Sequence, residues 1–148
     1  MILALDPSTK VIGWAIIDDG HRIGSGIHEL PEDLDHACQE AYEWLAYAFY
    51  PGFTDIAIEI PVYHRNVRTL RELAYINGAL RAAVAGRCKI ISVNPSSRLK
   101  AMGIGKVDDK KAAMIEAVNK RFKIAVESDD EADALAIGMA AWDQLNDN

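Results

Sequence analysis

Residues 127–142 read ESDDEADALAIGMAAW, and five of the first seven are carboxylates: Glu127, Asp129, Asp130, Glu131 and Asp133. They lead directly into a helical segment with almost no polar face. Acids at a helix start either cap unpaired N–H groups and complement the positive dipole end, or hold a cation. Capping needs one or two such groups, and Ser128 or Asp129 can supply it. Spacing separates the others, because residues three and four apart share a helix face. Asp130 and Asp133 lie on the row that continues as Ile137 and Ala140. Two partly desolvated carboxylates side by side are unfavourable unless a proton or a cation neutralises them. On this segment alone, capping and a cation site stand about level.

Two further acids interrupt apolar strands. Asp6 ends MILAL, and Glu59 lies among Ile56, Ile58 and Ile60. Taken singly, Asp6 reads as a turn cap and Glu59 as an edge-strand or buried-pair residue. If the first and fourth strands are neighbours, both can converge with Asp130 and Asp133. Four carboxylates at one point suit metal-dependent phosphodiester cleavage, in which two ions roughly 3.5–4 Å apart hold the scissile phosphate and activate water. Mg²⁺ prefers hard oxygen ligands. The histidines (His21, His28, His36, His64) and the lone Cys38 and Cys88 show no metal spacing, so zinc is not expected.

The elements that must position these acids follow from pattern. MILAL, VIGWAII and HRIGSGIHE predict three strands, with Asp19-Gly20 as a hairpin turn. From Glu32 to Tyr50 the apolar spacing is helical, and Pro51-Gly52 ends it. TDIAIEIP predicts a buried strand, 66–85 a helix, KIISVNP a strand and 95–102 a short helix. A GIGKVDD loop precedes a helix over about 108–122. KIAVE is expected to be briefly extended before the last helix. The order βββαβαβααα predicts an α/β fold: a mixed five-stranded sheet with helices on both faces, in one domain spanning 1–148.

Half the residues are apolar, yet no run approaches the roughly 18 needed to span a bilayer. The opening MILALD reads as a strand rather than a leader. Two unpaired thiols suit a reducing compartment, so a cytoplasmic protein is expected. The net charge is −6, but its distribution is uneven. Residues 65–123 hold 14 of the 16 Lys and Arg and only four acids, an excess of +10 against −16 elsewhere. Such segregation suits a basic surface for an anionic partner beside an acidic centre, although solvated helix faces would look the same.

Three motifs, in order and over nearly the whole length, resemble the RuvC family of Holliday-junction resolvases within the ribonuclease H-like superfamily. They are ILALDPSTKVIGWAII, DIAIEIPVYHRNVRTLRELAYINGAL and DDEADALAIG, supported by NPSSRLKAMGIGKVDDKK. The resemblance implies that Asp6, Glu59, Asp130 and Asp133 are catalytic carboxylates holding two Mg²⁺ per site, with Mn²⁺ as a substitute. It implies a homodimer that cuts symmetric strands of a four-way junction, with no nucleotide cofactor and no membrane. Lys106, Lys110 and Lys111 correspond loosely to the family's basic residues, and Lys110 or Lys111 is expected to approach the site. Compactness suits a phage-type member. Ser8 replaces a usual Gly, and Val62 stands where the family usually places a base-stacking Phe. Tyr63 follows it and can stack, or simply pack beside the helix start.

Arg65, Arg68, Arg98, Lys100 and Lys106 are expected to contact DNA with Tyr63. The rivals are a YqgF-type nuclease acting on RNA, an actin-like or sugar-kinase ATPase and a non-catalytic junction-binding protein. An ATPase would need a second domain and no Glu59. A binding protein could lose its carboxylates freely.

Overall fold

The structure, a computed structural model, describes residues 1–48, 52–62 and 66–147. The strands are β1 (Ile2–Pro7), β2 (Val11–Asp18), β3 (His21–Glu29), β4 (Asp55–Glu59) and β5 (Lys89–Val93). The helices are α1 (Leu34–Glu43), α2 (Val67–Val84), α3 (Pro95–Ala101), α4 (Lys110–Phe122) and α5 (Asp129–Asn146), with a π-helical turn at Trp44–Ala48 extending α1. One sheet of order β3-β2-β1-β4-β5 results, antiparallel on the β3–β1 side and parallel from β1 to β5. This is the α/β fold with a mixed five-stranded sheet that the sequence predicts.

Alternation along the strands divides the core into two layers. Ile2 and Ala4, Ala15 and Ile17, Ala57, and Ile91 and Val93 face α5, with α4 beside it. Leu3 and Leu5, Ile12, and Ile56 and Ile58 face the opposite layer of α1, the π turn and α2. The β2–β3 hairpin turns through Asp19 (φ 48°) and Gly20 (φ 72°), the positive-φ pair that a two-residue turn requires.

Ser128 caps α5, its hydroxyl accepting from the Glu131 N–H at 3.4 Å, and Asp109 caps α4 at 3.0 Å from the Ala112 N–H. The 124–128 segment is extended but joins no strand. Asn119 takes the place of a ladder partner: its side-chain amide donates to Val126 O at 3.0 Å and accepts from Val126 N at 2.8 Å. On α2, Ile76, Asn77, Leu80, Ala83 and Val84 are buried, while Ala74 faces solvent. Cys38 and Cys88 are free thiols, each half-buried rather than buried. No helix among the described residues is long and apolar enough to cross a membrane.

Helix α5 is enclosed from Ala134 to Ala141 without a break. It packs on β1 and β2 on one side and on α3 and α4 on the other. Small residues make that possible. At Gly138 an added Cβ would lie 2.5 Å from Ile17 Cγ1 and 3.2 Å from Ala4 Cβ. Gly138→Val should therefore destabilise the fold by ~1–3 kcal/mol through overpacking. Chemical denaturation checks this, and an unchanged midpoint would contradict so close an approach.

Candidate metal and nucleic-acid site

The four acids reach one end of the sheet by a short chain of causes. Asp6 and Glu59 close β1 and β4 on the face that carries Ala4 and Ala57, so both side chains rise towards α5. Strands β1 and β4 are parallel, and Leu5↔Ile58 is their last rung. The two acids follow directly at the carboxyl ends of neighbouring strands, the usual position for ligands in open α/β sheets. Across the β1–β2 ladder, Asp6 pairs with Gly13. A Cβ on Gly13 would stand 2.0 Å from the Asp130 carbonyl oxygen. The missing side chain is what lets the first turn of α5 settle against the sheet and bring Asp130 and Asp133 to Asp6.

Electrostatics confirm the crowding. Burial pushes the Asp6 carboxyl well above the usual carboxylate range, and the negative charges of Asp133 and Glu59, then Asp130, push it further, while Arg98 opposes them. Asp133 is also raised, chiefly by burial, with Arg98 pulling the other way. Asp130 is raised by burial and by Asp129. Holding such a cluster ionised requires positive charge.

Arg98 of α3 supplies it. Its Nη1 lies 2.6 Å from Asp133 Oδ2 and its Nε 3.2 Å from Glu59 Oε1, the second contact being close but not aligned as a hydrogen bond. All three side chains are only about one-fifth exposed. The sequence makes Arg98 a candidate for DNA contact; in the structure it pairs with Asp133 and lies beside Glu59 within the acid cluster. The cause is the register of β4 and β5: Val93 pairs with Glu59, so the helix starting at Pro95 opens beside the Glu59 carboxylate.

Of the remaining acids, Asp129 pairs with Lys111, which holds its carboxyl below the usual range. Glu131 Oε1 accepts from the Ser25 hydroxyl at 2.6 Å, and Ser25 Oγ accepts from Arg22 Nε at 2.7 Å, tying β3 to the start of α5. Lys111 thus reaches the rim and not the four-acid centre. Lys110 opens α4 in solvent, and Lys100 and Lys106 are exposed on α3 and the following loop. Arg68 is exposed and pairs with Glu72 one turn along α2, 2.7 Å away. Tyr63 and Arg65 lie outside the described residues.

The donor set fits a hard divalent cation: four carboxylates, with neither thiol nor imidazole among them. Among the described residues, no three His, Cys, Asp or Glu side chains stand close enough to coordinate one ion as they are. The Arg98 guanidinium lies between Glu59 and Asp133 and supplies the counter-charge there.

The chain is similar to known proteins over nearly its whole length. No protein-family model matches the chain. Two curated relatives are both named crossover junction endodeoxyribonuclease RuvC. The one from Halorhodospira halophila is 27% identical, covering 93% of this chain and 87% of the relative. The one from Salinibacter ruber is 26% identical, covering 94% and 83%. Among solved structures, T. thermophilus RuvC in complex with Holliday junction substrate superposes with a TM-score of 0.78 at 15% identity, covering 98% of this chain and 94% of that one. A second Thermus thermophilus RuvC structure gives 0.75 at 16%, covering 99% and 96%. The chain is thus similar to RuvC proteins in sequence and in fold over nearly its whole length.

In this RuvC-like fold the close approach of Gly13 to the Asp130 carbonyl holds the first turn of α5 against the sheet. Gly13→Ala should displace the first turn of α5 and lower stability by ~1–3 kcal/mol. Thermal denaturation checks it, and a wild-type melting temperature would show that the turn is not held there.

Proposed function

We propose that the chain is a divalent-metal-dependent endonuclease that cuts Holliday junctions or related branched DNA. The convergence of Asp6, Glu59, Asp130 and Asp133 at the carboxyl ends of β1 and β4 carries this assignment. Its support is the RuvC relationship over almost the full chain. Asp6, Glu59, Asp130 and Asp133 would hold two Mg²⁺ ions, with Mn²⁺ able to replace them. Bound there, the ions would neutralise charge building on the scissile phosphate and make water a competent nucleophile.

The protein's own groups do the rest. The carboxylates fix the cation positions on two strands and a helix whose main chains are packed on all sides. Arg98, which pairs with Asp133 and lies beside Glu59, would pair with a phosphate oxygen once cations balanced those acids, a contact for which a guanidinium is suited. Lys100, Lys106 and Lys110 form an exposed basic edge along α3, its loop and the start of α4, and Arg68 adds to it from α2. Such contacts set affinity and orientation without reading sequence. Tyr63 and Arg65 are assigned to base stacking and phosphate contact just beyond Glu59. Lys111, held by Asp129, serves the rim. The chain acts as one nuclease domain, and a homodimer supplies two sites for the two strands of a symmetric junction.

Synthetic four-way, forked and linear DNA with and without Mg²⁺ test the assignment. Metal-dependent cutting is expected on the branched substrates. Asp6→Asn and Asp133→Asn should each reduce it by at least the ~10–100-fold that loss of a supporting metal-site contact costs, with junction binding retained. Full activity of Asp6→Asn, or no metal-dependent nicking by the wild type, would sink the assignment.

Arg98→Met gives a second test. It leaves the acids without their counter-charge, so without divalent ions the variant should lose up to ~3 kcal/mol of stability at neutral pH. Added Mg²⁺ should then raise its melting temperature more than that of the wild type. Equal Mg²⁺ responses would show that Arg98 and the cation do not share one site.

A further inference from the structure

Strand β4 ends at Glu59 with an unusual hydrogen-bonding problem. On the β5 side, Ile60 donates its N–H to Val93 O at 2.9 Å. By alternation, the N–H and C=O of Glu59 face β1. The β1–β4 ladder stops at Leu5↔Ile58, and the next donor that β1 would offer the Glu59 carbonyl is residue 7. That residue is proline, which has no N–H.

The missing donor comes from another layer. Asn77 Nδ2 on α2 donates to the Glu59 carbonyl at 2.8 Å. Pro7, Glu59 and Asn77 meet along one small cleft of about 100 Å³. Asn77 is 4% exposed and is the buried polar residue among the described ones, on a helix face otherwise made of Ile76, Leu80, Ala83 and Val84. Its amide orientation is set from behind. Arg81 Nε donates to Asn77 Oδ1 at 2.6 Å, and Arg81 Nη2 donates to Ser92 Oγ on β5 at 3.0 Å. An amide in an apolar layer persists when both its ends are satisfied, and here both ends serve the strand pair that carries Glu59.

We propose that Asn77 is a positioning residue for the nuclease site. It replaces the donor that Pro7 cannot provide and fixes the main chain from which the Glu59 carboxylate is presented. The inference rests on the assignment of Glu59 as a metal ligand.

Three variants test it, each read by calorimetric Mn²⁺ titration of the free protein and by Mg²⁺-dependent junction cleavage. Asn77→Asp keeps the size and the acceptor for Arg81 but turns the donor into a second acceptor. Its Mn²⁺ affinity and kcat should each fall about tenfold, the scale of one lost hydrogen bond to a now unsatisfied group, while KM for the junction holds. Asn77→Leu should behave alike, and adding Pro7→Ala, which restores a backbone N–H facing Glu59, should recover most of the loss. A purely structural role predicts no such rescue.

Wild-type Mn²⁺ affinity in Asn77→Asp, or a double variant no better than Asn77→Leu, would overturn the inference. If Asn77→Leu does not fold, Asn77→Asp decides alone. A wild-type protein that binds Mn²⁺ but cuts no junction would remove the nuclease assignment and leave the Mn²⁺ readout to decide on Asn77. One that binds no Mn²⁺ would remove both.

Discussion

Four carboxylates forced together at the edge of an apolar core are the constraint around which this structure is arranged. Each is tolerable alone, but burial raises the cost of ionising Asp6, Asp130 and Asp133, and at Asp6 the charges of Asp133, Glu59 and Asp130 add to it. Without a counter-charge the fold would relax by separating them. It does not, because the elements that carry them are fixed by packing elsewhere: β1 and β4 lie side by side in the sheet, and α5 is enclosed along most of its length. Arg98 supplies the charge that makes the arrangement stable in the absence of metal.

Several features that look unrelated serve this one end. Gly13 and Gly138 let α5 lie against β1 and β2 at backbone distance. Ser128 caps α5, which frees the aspartates behind it from that duty. Asp129 and Glu131 are occupied by Lys111 and Ser25, so they anchor the helix start to α4 and β3. Asn77 completes the hydrogen bonding where β1 and β4 part company. Where β1 and β4 part beyond Leu5 and Ile58, the Glu59 carbonyl accepts from Asn77.

Much of this was legible in the chain. Strand and helix order followed from periodicity and turn residues, because each element is either half-buried with clean alternation or amphipathic. The four acids were separable from the other eighteen since each interrupts an apolar pattern or continues an apolar stripe. What could not be read were contacts across elements. Arg98 looked like one more surface cation, since nothing local distinguishes an arginine that meets solvent from one that turns inward. Nothing around Gly13 in the chain points to the Asp130 carbonyl that lies against it in the fold. Asn77 lay in the middle of an apolar helical row, and the reason for its polarity is a proline seventy residues earlier.

A crystal structure of the protein with Mn²⁺, read through the anomalous signal of the ion, tests the central claim most directly. The account predicts two anomalous peaks beside Asp6, bounded by Glu59, Asp130 and Asp133, with Arg98 withdrawn from Glu59 and Asp133. A structure at saturating Mn²⁺ with no peak among these acids, and Arg98 still bridging Glu59 and Asp133, would contradict it.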